Sequence, residues 1–249
     1  MVLGLDIFEN NGLTFIARWV HVLAGITWIG LLYYFNFVQV PAFAELDPGA
    51  RNSAVDKLAS RALWWFRWAA AATLLFGLLI YAVQDTGDGR LLWEMDYYKS
   101  APGLSIITGM LLGLTMFLNV WLVIWPAQKK VIANARNVLA GGEADATVPD
   151  VARKSALASR QNTIFSFPML LFMLGTGHFF GSYDTSSDRG IYWAITLVLW
   201  LVLELNCLGL LGGRGQNITN WIYEKHTNAI ATGVVLTVVW YALWEILFG

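Results

Sequence analysis

Three histidines, His21, His178 and His226, all lie inside or at the ends of hydrophobic stretches of the chain. An ionisable side chain in the hydrocarbon region of a membrane is costly, and it usually serves a function there. Imidazole is a common protein ligand for haem iron. The setting of these residues therefore indicates a haem or similar cofactor site, although histidines that only hydrogen-bond to neighbouring helices would fit the same pattern.

The composition is that of an integral membrane protein. Hydrophobic residues make up 57% of the chain and charged residues 13%, against about 25% charged in an average soluble domain. The formal net charge of −1 argues against a nucleic-acid partner. The lone Cys207 leaves no disulfide framework and no Cys-x-x-Cys-His site for covalent haem. Because residues 1–11 carry Asp6 and Glu9 rather than basic residues, we predict no cleavable signal peptide.

Six stretches are apolar and long enough to cross a bilayer as helices, which takes about 20 residues each. They fall at 13–40, 62–84, 102–125, 162–181, 190–212 and 222–248. Breakers predict the ends of the first five stretches: Pro41, Pro48 and Gly49; residues 85–90; Pro126; residues 184–190; and residues 212–215. The pattern predicts an all-α, polytopic membrane protein, with a single domain over residues 1–249. The one long polar loop, 126–161, is expected to form a cytoplasmic amphipathic helix that breaks at Gly141 and Gly142.

Positive charge predicts the orientation, because cytoplasmic loops carry an excess of lysine and arginine. The loops after the first, third and fifth stretches hold most of these residues: Arg51, Lys57, Arg61, Lys129, Lys130, Arg136, Arg153, Lys154, Arg160, Arg214 and Lys225. The opposite side holds Arg18, Arg90, Lys99 and Arg189. Both termini are therefore predicted on the extracytoplasmic side of a bacterial inner membrane.

This orientation converts sequence position into depth, at about 1.5 Å per residue. The first stretch runs inward, so His21 lies one turn below Arg18, near the outer surface. The fourth stretch runs outward and ends near Gly181, so His178 reaches the same outer layer. Two histidines at one depth are what a b-type haem with two histidine ligands requires. We therefore expect His21 and His178 to hold the iron of a haem b.

Residues beside the two histidines fit that hypothesis. Arg18 precedes His21 by three residues and could pair with a haem propionate at the interface. Gly25 lies one turn below His21, and Gly175 and Gly177 precede His178, which would let a ring approach the backbone. Packing contacts between helices would also explain these glycines.

A second group of polar residues falls in the cytoplasmic half: Asn36, Asn119, Asn162, Glu204, Asn206, His226 and Asn228. Glu204 lies well inside the fifth stretch, and His226 begins the sixth, too far from the outer pair to share one iron. The group is typical of a proton route or a polar substrate pocket, with Glu204 and His226 as candidate catalytic residues. A set of interhelical hydrogen bonds that only stabilises the bundle is equally consistent with it.

Three stretches resemble the membrane domain of the bacterial membrane-bound urate oxidase family, also called urate hydroxylase. They are RWVHVLAGITWIG at 18–30, NVWLVIWPAQKK at 119–130, and ASRQNTIFSFPML at 158–170, which runs on to His178 and Phe179. The resemblance implies a helical membrane domain coupled to electron transfer, followed in that family by a periplasmic c-type cytochrome domain. The sequence ends at Gly249 before any such domain, so we expect a separate c-type cytochrome to take its place. His21 and His178 lie in the matched stretches, whereas His226 and Glu204 rest on this sequence alone.

Three functional hypotheses follow. The first is a haem b electron-transfer protein in the bilayer that passes electrons from a small substrate or quinol to an external c-type cytochrome. The second is an accessory subunit, without enzymatic activity, of a larger respiratory or photosynthetic complex. The third is a small transporter whose substrate site is the inner polar group. Dinucleotide-binding, Walker and His-Glu-x-x-His patterns do not occur in the sequence.

Overall fold

The computed structural model describes residues 10–84, 94 and 96–249, and this part of the chain is helical, without a strand. The all-α prediction is confirmed. The α-helices are α1 Asn10–Tyr33, α2 Val40–Glu45, α3 Pro48–Ala54, α4 Ser60–Val83, α5 Ala101–Leu118, α6 Trp125–Leu139, α7 Val148–His178, α8 Arg189–Cys207, α9 Trp221–Glu224 and α10 His226–Phe248.

Three of the helices continue into the next through a π-helical segment. These segments are Tyr34–Gln39 between α1 and α2, Val55–Ala59 between α3 and α4, and Asn119–Ile124 between α5 and α6. The longest continuous helix, Ala101–Leu139, has 39 residues, and it spans about 58 Å at 1.5 Å per residue. The hydrocarbon core of a bilayer is about 30 Å thick, so these helices are long enough to extend beyond it.

The predicted helix ends at Pro41 and Pro126 are wrong, because the chain remains helical through both prolines as far as Glu45 and Leu139. A proline lacks the N–H of the ladder and clashes with the carbonyl four residues earlier. Here that carbonyl belongs to Phe37 or to Leu122, and each lies in a π-helical segment. The wider π turn removes the close approach, so the helix continues.

Other predicted breaks agree with the structure. The first helical run ends before Asp47, whose side chain accepts hydrogen bonds from the backbone N–H groups of Gly49 and Ala50 at 3.0 Å. The break after α6 has Gly141 at a φ of +87°, a backbone conformation that favours glycine. Chain outside regular α-helix also separates α7 from α8 and α8 from α9. The end predicted at residues 85–90 lies outside the described residues.

Five helices are long and apolar enough to cross a membrane, namely Gly12–Glu45, Pro48–Val83, Ala101–Leu139, Arg189–Cys207 and His226–Phe248. They cover five of the six predicted stretches, and the fourth, 162–181, falls on α7. Among the described helices, α7 contains the largest number of buried residues. It packs against α5, α6, α8 and α10, and more weakly against α1, while α1 packs mainly against α4. The protein is thus a helical membrane bundle with α7 at its centre.

Gly233 is where α10 and α7 come closest together. A Cβ atom on Gly233 would lie 2.5 Å from Cδ2 of Phe167 and 3.1 Å from the carbonyl oxygen of Ile164. We therefore expect Gly233→Ala to lower the free energy of unfolding in detergent by about 1–3 kcal/mol. Gly30→Ala is the matched control, since a Cβ there meets nothing within 4 Å. Equal stabilities of the two variants would contradict the close packing of α7 and α10.

Candidate functional site

His21 is held against α4 by one of its two ring nitrogens. Its Nδ1 lies 2.8 Å from the backbone carbonyl oxygen of Thr73. A carbonyl only accepts, so Nδ1 carries the hydrogen and Nε2 keeps a free lone pair. This is the arrangement that orients metal-bound histidines in proteins. Among the described residues, Nε2 has no hydrogen-bond partner, so this imidazole can serve as a ligand.

The α4 residue Gly77 makes room for that ring. A Cβ atom on Gly77 would lie 3.0 Å from Cε1 and 3.1 Å from Nδ1 of His21. Gly25, the predicted cofactor residue on α1, is less constrained, because a Cβ there would be 3.9 Å from Thr73. The glycine that makes room for His21 is therefore on the neighbouring helix, and spacing along α1 could not predict it.

Arg18 lies at the outer end of the same helix pair. Its Nη2 donates to Oε1 of Gln84 at 2.8 Å, and the side chain is exposed. No carboxylate pairs with it among the described residues. One edge of the guanidinium is thus available to an anion three residues from His21.

His178 is the last residue of α7 and is exposed. On α7, Ser166, Leu170, Leu174 and His178 follow one another at intervals of four. Each step turns the helix by about 40°, so His178 is rotated by about 120° from Ser166. Ser166 belongs to the contact with α1, since its Oγ is 2.8 Å from the hydroxyl of Tyr33. His178 therefore lies to one side of the α7 face that contacts α1 through Ser166.

The contact between α1 and α7 provides a common reference point for His21 and His178. These helices run in opposite directions, because Asn36 bonds to Ser159 while Tyr33 bonds to Ser166. His21 is twelve residues from Tyr33, and His178 is twelve residues from Ser166. Both lie about 18 Å from the bonded pair along their helices.

The structure does not join His21 and His178 directly. Within the described part of the chain, no hydrogen bond or ring contact links them, and the His21 ring faces α4. Side chains between the two levels are exposed, with Ile26 at 65% and Leu174 at 64%. The N-terminal half of α1 and the C-terminal end of α7 thus leave apolar surface uncovered, whereas the helices meet at Tyr33 and Ser166.

Gly175 has a structural role. A Cβ atom there would lie 2.4 Å from Cε2 of Phe180, so Gly175 is needed for the packing of that ring. Gly177 has nothing within 4 Å of its Cβ position. Of the two glycines before His178, only Gly177 leaves open space beside the backbone.

His226 begins α10, far from the outer histidines along the chain and half-buried. Its ring centroid is 6.2 Å from that of Phe37 in the first π-helical segment. No hydrogen bond connects it with Glu204 in the part of the chain that the structure describes. The two candidate catalytic residues of the sequence analysis are therefore not joined in one constellation.

Glu204 belongs to a buried hydrogen-bond network between α5, α7 and α8. The Nδ2 atom of Asn119 donates to Oδ1 of Asn162 at 3.1 Å and to Oε2 of Glu204 at 3.2 Å. In turn, Nδ2 of Asn162 donates to the Met116 carbonyl at 2.9 Å. Asn119 opens the π-helical segment after α5, which connects this network with the irregular backbone.

Next to this network, the start of α9 meets α7 and α8. The Tyr223 hydroxyl is 2.7 Å from Oε1 of Gln161 and 3.1 Å from the Leu203 carbonyl. Burial raises the pKa of Tyr223, so the phenol stays protonated. Three buried atoms nearby on α7 and α8 have no hydrogen-bond partner: Nη1 of Arg160, Nε2 of Gln161 and Oδ1 of Asn206.

Buried polar atoms without protein partners are typical of sites that hold water or a polar ligand. Two of these atoms, on Arg160 and Gln161, come from the stretch at 158–170. Gln161 and Tyr223 were not among the predicted site residues, because Gln161 ends the predicted polar loop 126–161 and Tyr223 lies at the start of the sixth apolar stretch. In the described residues, no group of three or more His, Cys, Asp or Glu side chains could hold a metal ion.

The class of the protein is thus a helical membrane protein with a polar interior. A family described as "Urate oxidase N-terminal" matches residues 89–240, more than half of the chain. The chain therefore belongs to the urate oxidase N-terminal family. The matched residues include His178, Glu204 and the Asn119 network, while His21 lies before them. No curated protein and no solved structure matches the chain.

Asn119 is the donor that holds the inner network together, so its loss should be measurable. Asn119→Ala leaves oxygen atoms of Asn162 and Glu204 without their donor, and we expect it to destabilise the protein by about 1–2 kcal/mol. Glu204→Gln keeps an acceptor in the same place and should be nearly neutral. Thermal unfolding in detergent measures both. If Glu204→Gln were as unstable as Asn119→Ala, Glu204 would stabilise the protein by more than accepting this hydrogen bond, and the prediction would be wrong.

Proposed function

We propose that the protein is a membrane-embedded electron-transfer subunit that holds a b-type haem between His21 and His178. It passes electrons from a small substrate or a quinol to a c-type cytochrome on the extracytoplasmic side. A haem held there supplies a centre that gains and loses one electron at a time.

The observation that carries the proposal is the hydrogen bond between Nδ1 of His21 and the Thr73 carbonyl. It fixes the tautomer and the ring plane and leaves Nε2 free to bind a metal. His178 supports it from α7, being exposed and twelve residues from Ser166, which contacts α1. The donor set, two imidazoles at matched levels with uncovered apolar surface between them, fits a haem.

The orientation that we propose has six spans, which are the five apolar helices and, fourth along the chain, α7. Both termini lie outside the cytoplasm. α7 runs antiparallel to α1 and is covered by other helices on most sides. A helix in that position need not be apolar, because protein rather than lipid surrounds it. The positive residues of α6 and of the loop after α8 then lie on the cytoplasmic side.

This orientation gives the polar residues separate tasks. Arg18, with its exposed guanidinium, lies on the side of the external cytochrome and can pair with a propionate. The Glu204 network lies toward the cytoplasm, where a carboxyl group can accept and release the protons of an oxidation. Urate is the substrate that the family description names, and we propose a molecule of that kind as the electron donor.

The haem proposal predicts an absorption spectrum. Protein purified from cells with adequate haem should show b-type bands in the reduced-minus-oxidised difference spectrum. His21→Ala and His178→Ala should each lose these bands, because each removes a ligand, whereas His226→Ala should keep them. A haem-free wild-type preparation, or bands that survive both ligand substitutions, would refute the proposal.

Gly77 provides a test that leaves both ligands in place. Gly77→Val puts a side chain where the His21 ring lies and should displace Nδ1 from the Thr73 carbonyl. Since partners that orient a ligand contribute about 10–100-fold to metal affinity, we expect haem retention to fall by at least about tenfold. Gly30→Val, in open space on α1, is the control. Unchanged retention in Gly77→Val would show that His21 does not need this position to bind haem.

A further inference from the structure

Arg67 on α4 lies among three tryptophans. Its guanidinium carbon is 3.9 Å from the ring centroid of Trp125 and 5.3 Å from those of Trp68 and Trp121. Lys129 adds a second cation, with Nζ 5.9 Å from the Trp125 ring. We call these five residues the Arg67 cluster.

The cluster carries positive charge that nothing in the described residues neutralises. Neither Arg67 nor Lys129 takes part in an ion pair there, and Nε of Arg67 is buried without a hydrogen-bond partner. Cation–π contacts offset part of the cost of desolvating a guanidinium, but they satisfy none of its N–H groups in the ring plane. Two cations beside one indole ring also repel each other. An anion would remove both costs.

The depth of the cluster decides which anion can reach it. Arg67 is sixteen residues from Val83 at the outer end of α4, and Trp121 is twenty residues from Ala101 at the outer end of α5. At 1.5 Å per residue, these are about 24 Å and 30 Å. The hydrocarbon core is about 30 Å thick, so the cluster lies where the headgroups of the inner leaflet begin.

The cluster also opens toward lipid. Trp68 is 46% exposed, and Trp64 and Leu122, which lie on the same helices, are 48% and 66% exposed. Tryptophan is enriched at the level of lipid headgroups. Basic pockets between transmembrane helices on the cytoplasmic side are suited to the phosphates of anionic lipids.

We propose that the Arg67 cluster is a binding site for the headgroup phosphate of an anionic phospholipid of the inner leaflet. The guanidinium of Arg67 donates to the phosphate oxygens as a fork, and Lys129 adds the second charge. The indoles of Trp121 and Trp125 flank the glycerol region of the lipid. This site is separate from the histidines and from the Glu204 network; it rests on the proposed orientation but not on the haem, and a lipid-binding measurement does not test the haem.

The test compares lipid binding by the wild type, Arg67→Gln and Arg61→Gln. Arg61 is exposed, donates to the Lys57 carbonyl on its own helix, and its loss removes the same charge six residues away. Native mass spectrometry measures retained phosphatidylglycerol, with phosphatidylcholine and inorganic phosphate as separate arms. We expect retention of phosphatidylglycerol by wild type and Arg61→Gln, and about tenfold weaker binding by Arg67→Gln, as expected for losing charge-assisted hydrogen bonds.

Arg67→Lys covers the case in which Arg67→Gln does not fold. This variant keeps the charge but lacks the paired N–H donors of the guanidinium. It should therefore bind phosphatidylglycerol more weakly than Arg61→Gln does. Equal binding by all variants would overturn the proposal. If the protein retained inorganic phosphate as well as it retained phosphatidylglycerol, the cluster would be a phosphate site rather than a lipid site. That result would also overturn the proposal.

Discussion

The structure depends on one constraint: the polar side chains of α7 must find their partners inside the protein. In lipid, an unsatisfied polar group costs several kcal/mol. α7 carries a run of fully buried polar residues, from Gln161 to Thr163, and Ser166 one turn later. Other helices must therefore surround it, and their polar residues are found where they meet it. Asn119 reaches Asn162, Tyr223 reaches Gln161, and Tyr33 reaches Ser166.

The π-helical segments serve the same constraint. Two of them, Tyr34–Gln39 and Asn119–Ile124, contain the asparagines that contact α7. A π turn widens the helix and changes which carbonyls are free. The Met116 carbonyl, just before one of these segments, accepts from Asn162, and Asn36 donates both to Leu32 one turn earlier and to Ser159 of α7. The irregular backbone thus lies where α7 supplies hydrogen-bond partners. The prolines that follow, Pro41 and Pro126, are accommodated without a break in the helix.

Hydropathy predicts the helices that face lipid, because lipid selects apolar residues on their surface. It recovers five spans and gives a weaker signal for α7, whose surroundings are protein. The prolines led to wrong helix ends, since a π turn leaves no periodic signature in a sequence of this length. For the site, spacing predicts His21 and His178 at one depth, and their pairing stays a prediction. Spacing could not identify Gly77 or Thr73, because a residue that positions His21 from another helix is not related to His21 by any fixed interval along the chain.

The difference between the two halves of the bundle bears on where a cofactor can be held. In the inner half, α1 and α7 are joined by hydrogen bonds, and the side chains of Asn36 and Ser166 are buried. Toward the N-terminus of α1 and the C-terminus of α7, the same two helices leave Ile26 and Leu174 uncovered. Two apolar helix faces that meet at one end and stay apart at the other need either lipid or a flat apolar group between them. The His21 imidazole, whose Nδ1 is committed to the Thr73 carbonyl of α4, lies at the level of these uncovered residues. Under the function proposed above, the flat group is the haem, and without it lipid would cover the same apolar surface.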